Sequence, residues 1–225
     1  MDWSAFSLSI QLALGTLTVL LPLGLIGGRW LARTTFRGRA WIEALVLLPL
    51  VLPPTVMGYY LLVALGGNSP FGQFLQNSWG ISLTFNFAGL LLASVLFNIP
   101  FMFQPIQRAF EAIPQNLTEA AQVSGLSAWA TFLKVELPLA WPGILSALVL
   151  TFVHTLGEFG VVLMIGGSIP GETRTLAISI YDSVQSFDLQ AANTMSLALL
   201  MFSLVAVAMS LFLSGRKIRS VRRAG

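Results

Sequence analysis

Apolar residues crowd into five long stretches, near residues 6–28, 41–66, 85–107, 139–166 and 194–214, and polar residues gather in the gaps between them. A helix needs about 20 residues to cross a hydrocarbon core about 30 Å thick, and each stretch is long enough. The pattern predicts an all-α integral membrane protein with about five spans. The gaps at 67–84 and 167–193 leave a sixth helix open. No internal repeat or low-complexity tract interrupts the chain.

The gap at 108–138 has its own order. Pro114 cannot sit inside a helix, and Asn116 followed by Glu119 resembles a capping box, so a short helix is expected to begin there. It runs through Glu119, Ala120, Ala121 and Gln122 to Gly125, the residue best suited to a left-handed cap. Ser127 is placed to cap a second helix carrying Trp129, Phe132, Leu133 and Val135, which Pro138 should end. Pro142-Gly143 is then expected to bend the chain into the fourth span. A helix this short needs something to pack against. Its polar face, Glu119, Gln122 and Ser124, lacks the Lys and Arg of a membrane-surface anchor, so a protein groove suits it better.

Composition agrees with a membrane class. The 225 residues are 56% hydrophobic and 9% charged, where a soluble domain carries about a quarter charged. The basic residues give an orientation, because cytoplasmic loops near a span collect Lys and Arg. Eleven of the twelve, all but Arg174, fall between spans one and two, between spans three and four, or in the tail. The N-terminus is therefore expected outside and the tail in the cytoplasm, and the net charge of +3 is a topology signal with no bearing on nucleic acid. The start MDWSAF has no basic flank, so the first span is expected to stay as a mature helix. With no cysteine, disulfides and thiolate metal sites are excluded. Residues 1–225 read as one transmembrane domain without a soluble appendage, small enough that association with further helices is expected.

Within the spans the breaks are concentrated. The second contains Pro49, Pro53 and Pro54, and the third Asn98, Pro100, Gln104 and Pro105. Prolines free carbonyls that are tolerated where they meet protein or water, so both spans are read as lining a conduit or bending at a gate, against ordinary kinks. Gly24 and Gly28 form a small-xxx-small pair, for a dimer contact or merely to end the first helix. His154 and Glu158, four apart, share a helix face. Intramembrane ionisable groups usually face the bundle interior or water. A metal site would lack further ligands, a proton relay is a second reading, and mutual pairing near the pathway is the third.

Glu119-Ala120-Ala121, then Gly125 after three residues, then Val135 and Leu137-Pro138, resembles the EAA signature of ATP-binding-cassette (ABC) importer permeases; Val135 stands where that family usually has Ile. The resemblance implies the type I permease fold and a coupling helix in the 108–138 loop. Its Glu119, Ala120, Ala121, Gly125 and Leu126 would dock on a separate ATP-hydrolysing subunit. The chain has no GxxxxGK[ST], so ATP and Mg belong to that partner and no cofactor to this chain. The stretch 152–185, with HTLGEFG, MIGG, IPGETRTL and IYD in order, looks like the molybdate subgroup. That resemblance implies a homodimer with two ATPase subunits and an extracytoplasmic molybdate-binding protein, embedded in lipid in a bacterial-type cytoplasmic membrane. No nucleic acid is implied.

Since no span carries Lys or Arg for a dianion, the pathway is expected to bind weakly through groups such as Thr55, Ser94 and Asn98. Pro49, Pro53, Pro54, His154 and Glu158 complete the gate candidates. Glu172, Arg174 and Asp182 are the candidate docking charges for the binding protein. Sulfate, thiosulfate or tungstate as cargo, an intramembrane enzyme using His154 and Glu158, and a structural subunit without a conduit are the alternatives.

Overall fold

The computed structural model describes residues 1–223, with side chains described through Phe212. Eleven α-helices and one π-helical turn make up the described fold, with no strand among those residues. The first helix, α1, runs Trp3–Arg33, and Asp2 caps it by accepting from the Ala5 N–H at 3.0 Å. It packs along α5, Phe87–Glu111, and α8, Leu137–Gly157, around Leu20, Met102, Ile106, Phe110, Ile144 and Ala147. Glycines permit the approach. A Cβ on Gly24 would stand 2.7 Å from Met102 Cγ, and one on Gly28 2.9 Å from Ile106 Cγ2. The small-xxx-small pair thus seats α5 of the same chain, and the helix continues past it for another turn.

The stretch expected as the second span is two helices, α2 at Arg39–Val51 and α3 at Pro54–Leu65, bent by 107°. Consecutive prolines cause the break. Pro53 precedes a proline and is held extended, at φ −56° and ψ 134°. Pro54 then occupies the first helical position, where a missing N–H costs nothing. Pro49 sits inside α2 without ending it.

Beyond the coupling loop the expectation needs correcting. The chain is continuously helical for 30 residues from Ala128 to Gly157, through Pro138 and Pro142. Helix α7, Ala128–Thr131, passes into a π-helical turn at Phe132–Glu136, where the Leu137 N–H bonds the Phe132 carbonyl five residues back. The widened turn accommodates the Pro138 ring and its missing donor, so the helix is neither ended there nor redirected at Pro142-Gly143. Gly143 instead lets α8 press on α5, since a Cβ there would collide with Ala109.

The fourth span stops at Gly157, short of residue 166. Glu158 and Phe159 break it, and a short α9, Gly160–Gly166, turns back against α3 and α5 over Leu65, Ala93, Phe97, Val161 and Ile165. The helices in the two long gaps, α4 at Pro70–Trp79 and α10 at Leu176–Gln185, have ten residues each and are too short to cross. Helix α11 runs Leu189–Arg223. Among the described residues four helices are long and apolar enough to span, and the bent α2–α3 pair is a fifth where its two halves cross as one broken span. The tail cations Arg216, Lys217, Arg219, Arg222 and Arg223 lie outside the residues whose side chains are described.

Candidate functional site

Helix α6, Gln115–Val123, leads from the end of α5 toward α7. Pro114 takes its cap position with no side-chain bond, so Asn116 lies inside the helix and forms no capping box. A proline N-terminal to the helix already supplies extended dihedrals, and the Thr118 hydroxyl turns inward to the Gln115 carbonyl at 2.7 Å. The other end is closed by two bonds: Leu126 N–H to the Ala121 carbonyl at 3.1 Å and Gly125 N–H to the Gln122 carbonyl at 2.9 Å. That is a Schellman cap, which requires a left-handed residue, and Gly125 has φ +87°. The Ser127 hydroxyl then caps α7 by accepting from the Ala130 N–H at 3.2 Å. Glu119 and Ala120 are exposed, Ala121 and Leu126 half-buried, and Val123 is 90% exposed. Here a short helix, capped at its C-terminal end, offers Glu119, Ala120 and Val123 on an exposed face.

A second group meets inside the bundle. Asn98, fully buried on α5, donates through Nδ2 to the Ser94 carbonyl at 2.8 Å and to the Glu158 carboxylate. Both of those atoms accept, which fixes the amide's orientation. Its Oδ1 must therefore face His154, whose Nδ1–H donates to it at 3.0 Å. His154 also stacks on Phe101 at 3.8 Å and lies 3.6 Å from Glu158. Thr16 on α1 joins by donating to the Ser94 hydroxyl at 3.1 Å. Glu158 is the cap of the broken α8, so the network ties that break to α5 and α1. Its second oxygen, Oε2, is buried with no partner among the described residues.

The two breaks come together. A Cβ on Gly160, just past Glu158, would stand 3.0 Å from Pro54 Cβ and 3.4 Å from the Thr55 nitrogen; one on Gly58 would stand 2.7 Å from Met164 Cβ. Of the candidate hydroxyl and amide groups, Ser94 and Asn98 are spent on internal bonds. Thr55, Pro53 and Pro54 are exposed, and Pro49 is buried one turn back in α2.

Arg174, in the loop before α10, and Asp182, on α10 itself, are drawn together at 3.6 Å through Ser168, which donates to Asp182 at 2.7 Å and accepts from Arg174 at 3.1 Å. Glu172 remains exposed. Asp2 reaches this end through Ser179 at 3.2 Å. Burial pushes the Asp2 carboxyl up, but the Ala5 N–H, the Ser4 and Ser179 hydroxyls and the Arg174 charge together hold it below its ordinary value.

Sequence reasoning missed the ion pairs at the opposite, basic end. Glu136, buried in the π turn, receives Arg29 at 2.5 Å and 3.3 Å and has Arg33 at 3.7 Å. Arg39 bridges Glu43 at 2.8 Å and Glu111 at 2.5 Å, and Gln107 bonds both carboxylates. An acid between Val135 and Leu137 at the level of four arginines was the available clue. These bonds fasten α1 and α2 to the two ends of the segment that carries α6.

The fold matches that of a bacterial ABC transporter importing the acidic polysaccharide alginate, with a TM-score of 0.77 at 19% identity over 95% of this chain and 78% of that one. The architecture is thus the multi-pass, all-α fold of type I ABC importer permeases. Residues 21–222 match the family of binding-protein-dependent transport system inner membrane components, and the chain belongs to it. It is 46% identical to the molybdenum transport system permease protein ModB of Azotobacter vinelandii over 206 residues, covering 92% of this chain and 91% of that one. To the ModB of Haemophilus influenzae it is 38% identical over 214 residues, 95% and 92% of the two chains.

Proposed function

We propose that the chain is the permease subunit of an importer that carries molybdate across a bacterial cytoplasmic membrane, working as a homodimer with two ATPase subunits and an extracytoplasmic binding protein. The whole chain acts as one permease domain, with its basic end in the cytoplasm and its N-terminus outside. The observation that carries this reading is α6, an exposed, Schellman-capped helix joined to a 30-residue helix reaching into the bundle. Its Glu119, Ala120, Ala121, Gly125 and Leu126 form the contact with the ATPase, which holds the ATP and Mg. Closure of two ATPase subunits would move α6 and, through the Arg29–Glu136 and Arg39–Glu111 pairs, the ends of α1, α2 and α5 with it.

The gate lies where the broken spans meet. Pro53, Pro54 and Thr55 face outward from α3, while Ser94, Asn98, His154 and Glu158 hold the α8–α9 break in place from behind. Pro49 lies one turn before the bend. A buried carboxyl group and the absence of Lys or Arg from the five apolar stretches disfavour tight capture of a dianion, so affinity rests with the binding protein, docked near Glu172, Arg174 and Asp182. Molybdate as cargo is supported by the two ModB relatives.

The test is uptake by vesicles containing the chain with its ATPase and binding protein. ATP-dependent accumulation of labelled molybdate, competed by tungstate more than by sulfate, is expected, and Gly125→Pro should abolish it. Sulfate accumulating in preference would reassign the cargo. Unchanged uptake in Gly125→Pro would remove the coupling role from α6.

A further inference from the structure

A groove of about 770 Å³ opens at the basic end, between the last turns of α1 and the start of α7. One wall is Pro22, Leu25 and Ile26 running down to Arg29 and Arg33; the other is Ala128, Trp129 and Phe132. We propose that it is a binding site for one anionic phospholipid, whose headgroup phosphate meets Arg33 and Arg29 and whose acyl chain lies along Leu25 and Ile26.

Depth supports this occupant. Helix α1 has 31 residues, about 46 Å at 1.5 Å per residue, against a hydrocarbon core of about 30 Å. Its final turns must therefore stand in the headgroup layer. Exposed Trp30 and Trp129 mark that level, where amphipathic rings collect.

Charge supports it too. Two guanidinium groups share the single buried carboxylate of Glu136, and they share it unequally. Arg29 binds it closely and also stands 5.1 Å over the Phe132 ring, whereas Arg33 is 3.7 Å away. One positive charge is left in excess, most of it at Arg33. A basic pocket between membrane helices at this level suits an anionic headgroup.

The apolar wall is also open to lipid. Leu23, Ile26 and Trp30 continue the exposed face of α1, and Ile26 is 72% exposed. A second copy of the chain docked face to face here would oppose like charges. A lipid so seated would wedge the end of α1 against the π turn, at the root of the segment that carries α6.

Native mass spectrometry of the purified full chain, with phosphatidylglycerol or phosphatidylcholine added, tests the site. One phosphatidylglycerol per chain is expected to be retained in preference to phosphatidylcholine. Arg33→Gln, which leaves the Arg29–Glu136 pair intact, should weaken retention roughly fivefold, the effect of one basic residue at an anionic surface. Ala128→Trp should abolish it by filling the groove, while Arg108→Gln, an exposed cation elsewhere at this end, should leave it unchanged. Equal retention of phosphatidylcholine would overturn the proposal. So would an undiminished Arg33→Gln, or a loss in Arg108→Gln as large as in Arg33→Gln.

Discussion

Asn98 shows how one side chain can make a buried carboxylate tolerable. Its amide hydrogens go to the Ser94 carbonyl and to Glu158, and its oxygen accepts a hydrogen bond from the His154 Nδ1–H. Leaving a buried polar group without its hydrogen-bond partner costs about 1–3 kcal/mol, and more where the group is charged. Asn98→Leu should therefore lower the thermal stability of the purified chain by about 3 kcal/mol. In Asn98→Leu/Glu158→Leu, where neither group needs the other, part of that loss should return. If Asn98→Leu melts with the parent, the network contributes nothing. Gly125 illustrates a different kind of residue-scale constraint. A Cβ there would meet nothing within 4 Å, so the demand is purely conformational. Gly125→Ala should fold normally yet strain the α6 cap by about 1–2 kcal/mol. The expected readout is weaker stimulation of the partner ATPase with unchanged melting of the membrane core.

At the scale of elements, the apolar stretches and the helix–glycine–helix pattern were legible because each is a local property of the chain. What the prolines would do was not. Pro100, Pro105, Pro138 and Pro142 all lie within helical segments, whereas the Pro53-Pro54 pair breaks its helix by 107°. A single missing N–H can be absorbed by a wider turn or by neighbouring helices; two in succession also force the first residue extended. The polar cluster was half legible: the i, i+4 spacing joined His154 to Glu158, but Asn98 belongs to it only through α5–α8 packing. Glu136 meets Arg29 across 107 positions, beyond the reach of any local pattern. Likewise Gly24 and Gly28 announced close approach without naming the partner, which is α5. Gly28→Leu should accordingly open the α1–α5 seam, at a cost of about 1–3 kcal/mol for overpacking. Gly67→Leu, at a position where a Cβ meets nothing within 4 Å, is the matched control. Equal melting of the two variants would show that the seam yields freely.

For the whole molecule the question is which way the bundle sits. Eleven of twelve basic residues fall on one side of the pattern, and the exception, Arg174, is held beside Asp182, which offsets its charge. The bias therefore has no strong opponent, and it predicts the α6 end on the cytoplasmic face. Helix α5 has 25 residues, about 37 Å, so groups beyond its two ends emerge on opposite faces of the membrane. Asn68 lies beyond the first end and Gln122 beyond the second, and both are exposed. Because the chain has no cysteine, one introduced thiol gives a clean report. In intact spheroplasts a membrane-impermeant maleimide should label Asn68→Cys and leave Gln122→Cys untouched until the membrane is permeabilised. The opposite pattern would put α6 outside, away from any cytoplasmic ATPase. It would also undo the proposed coupling route, whatever the cargo proves to be.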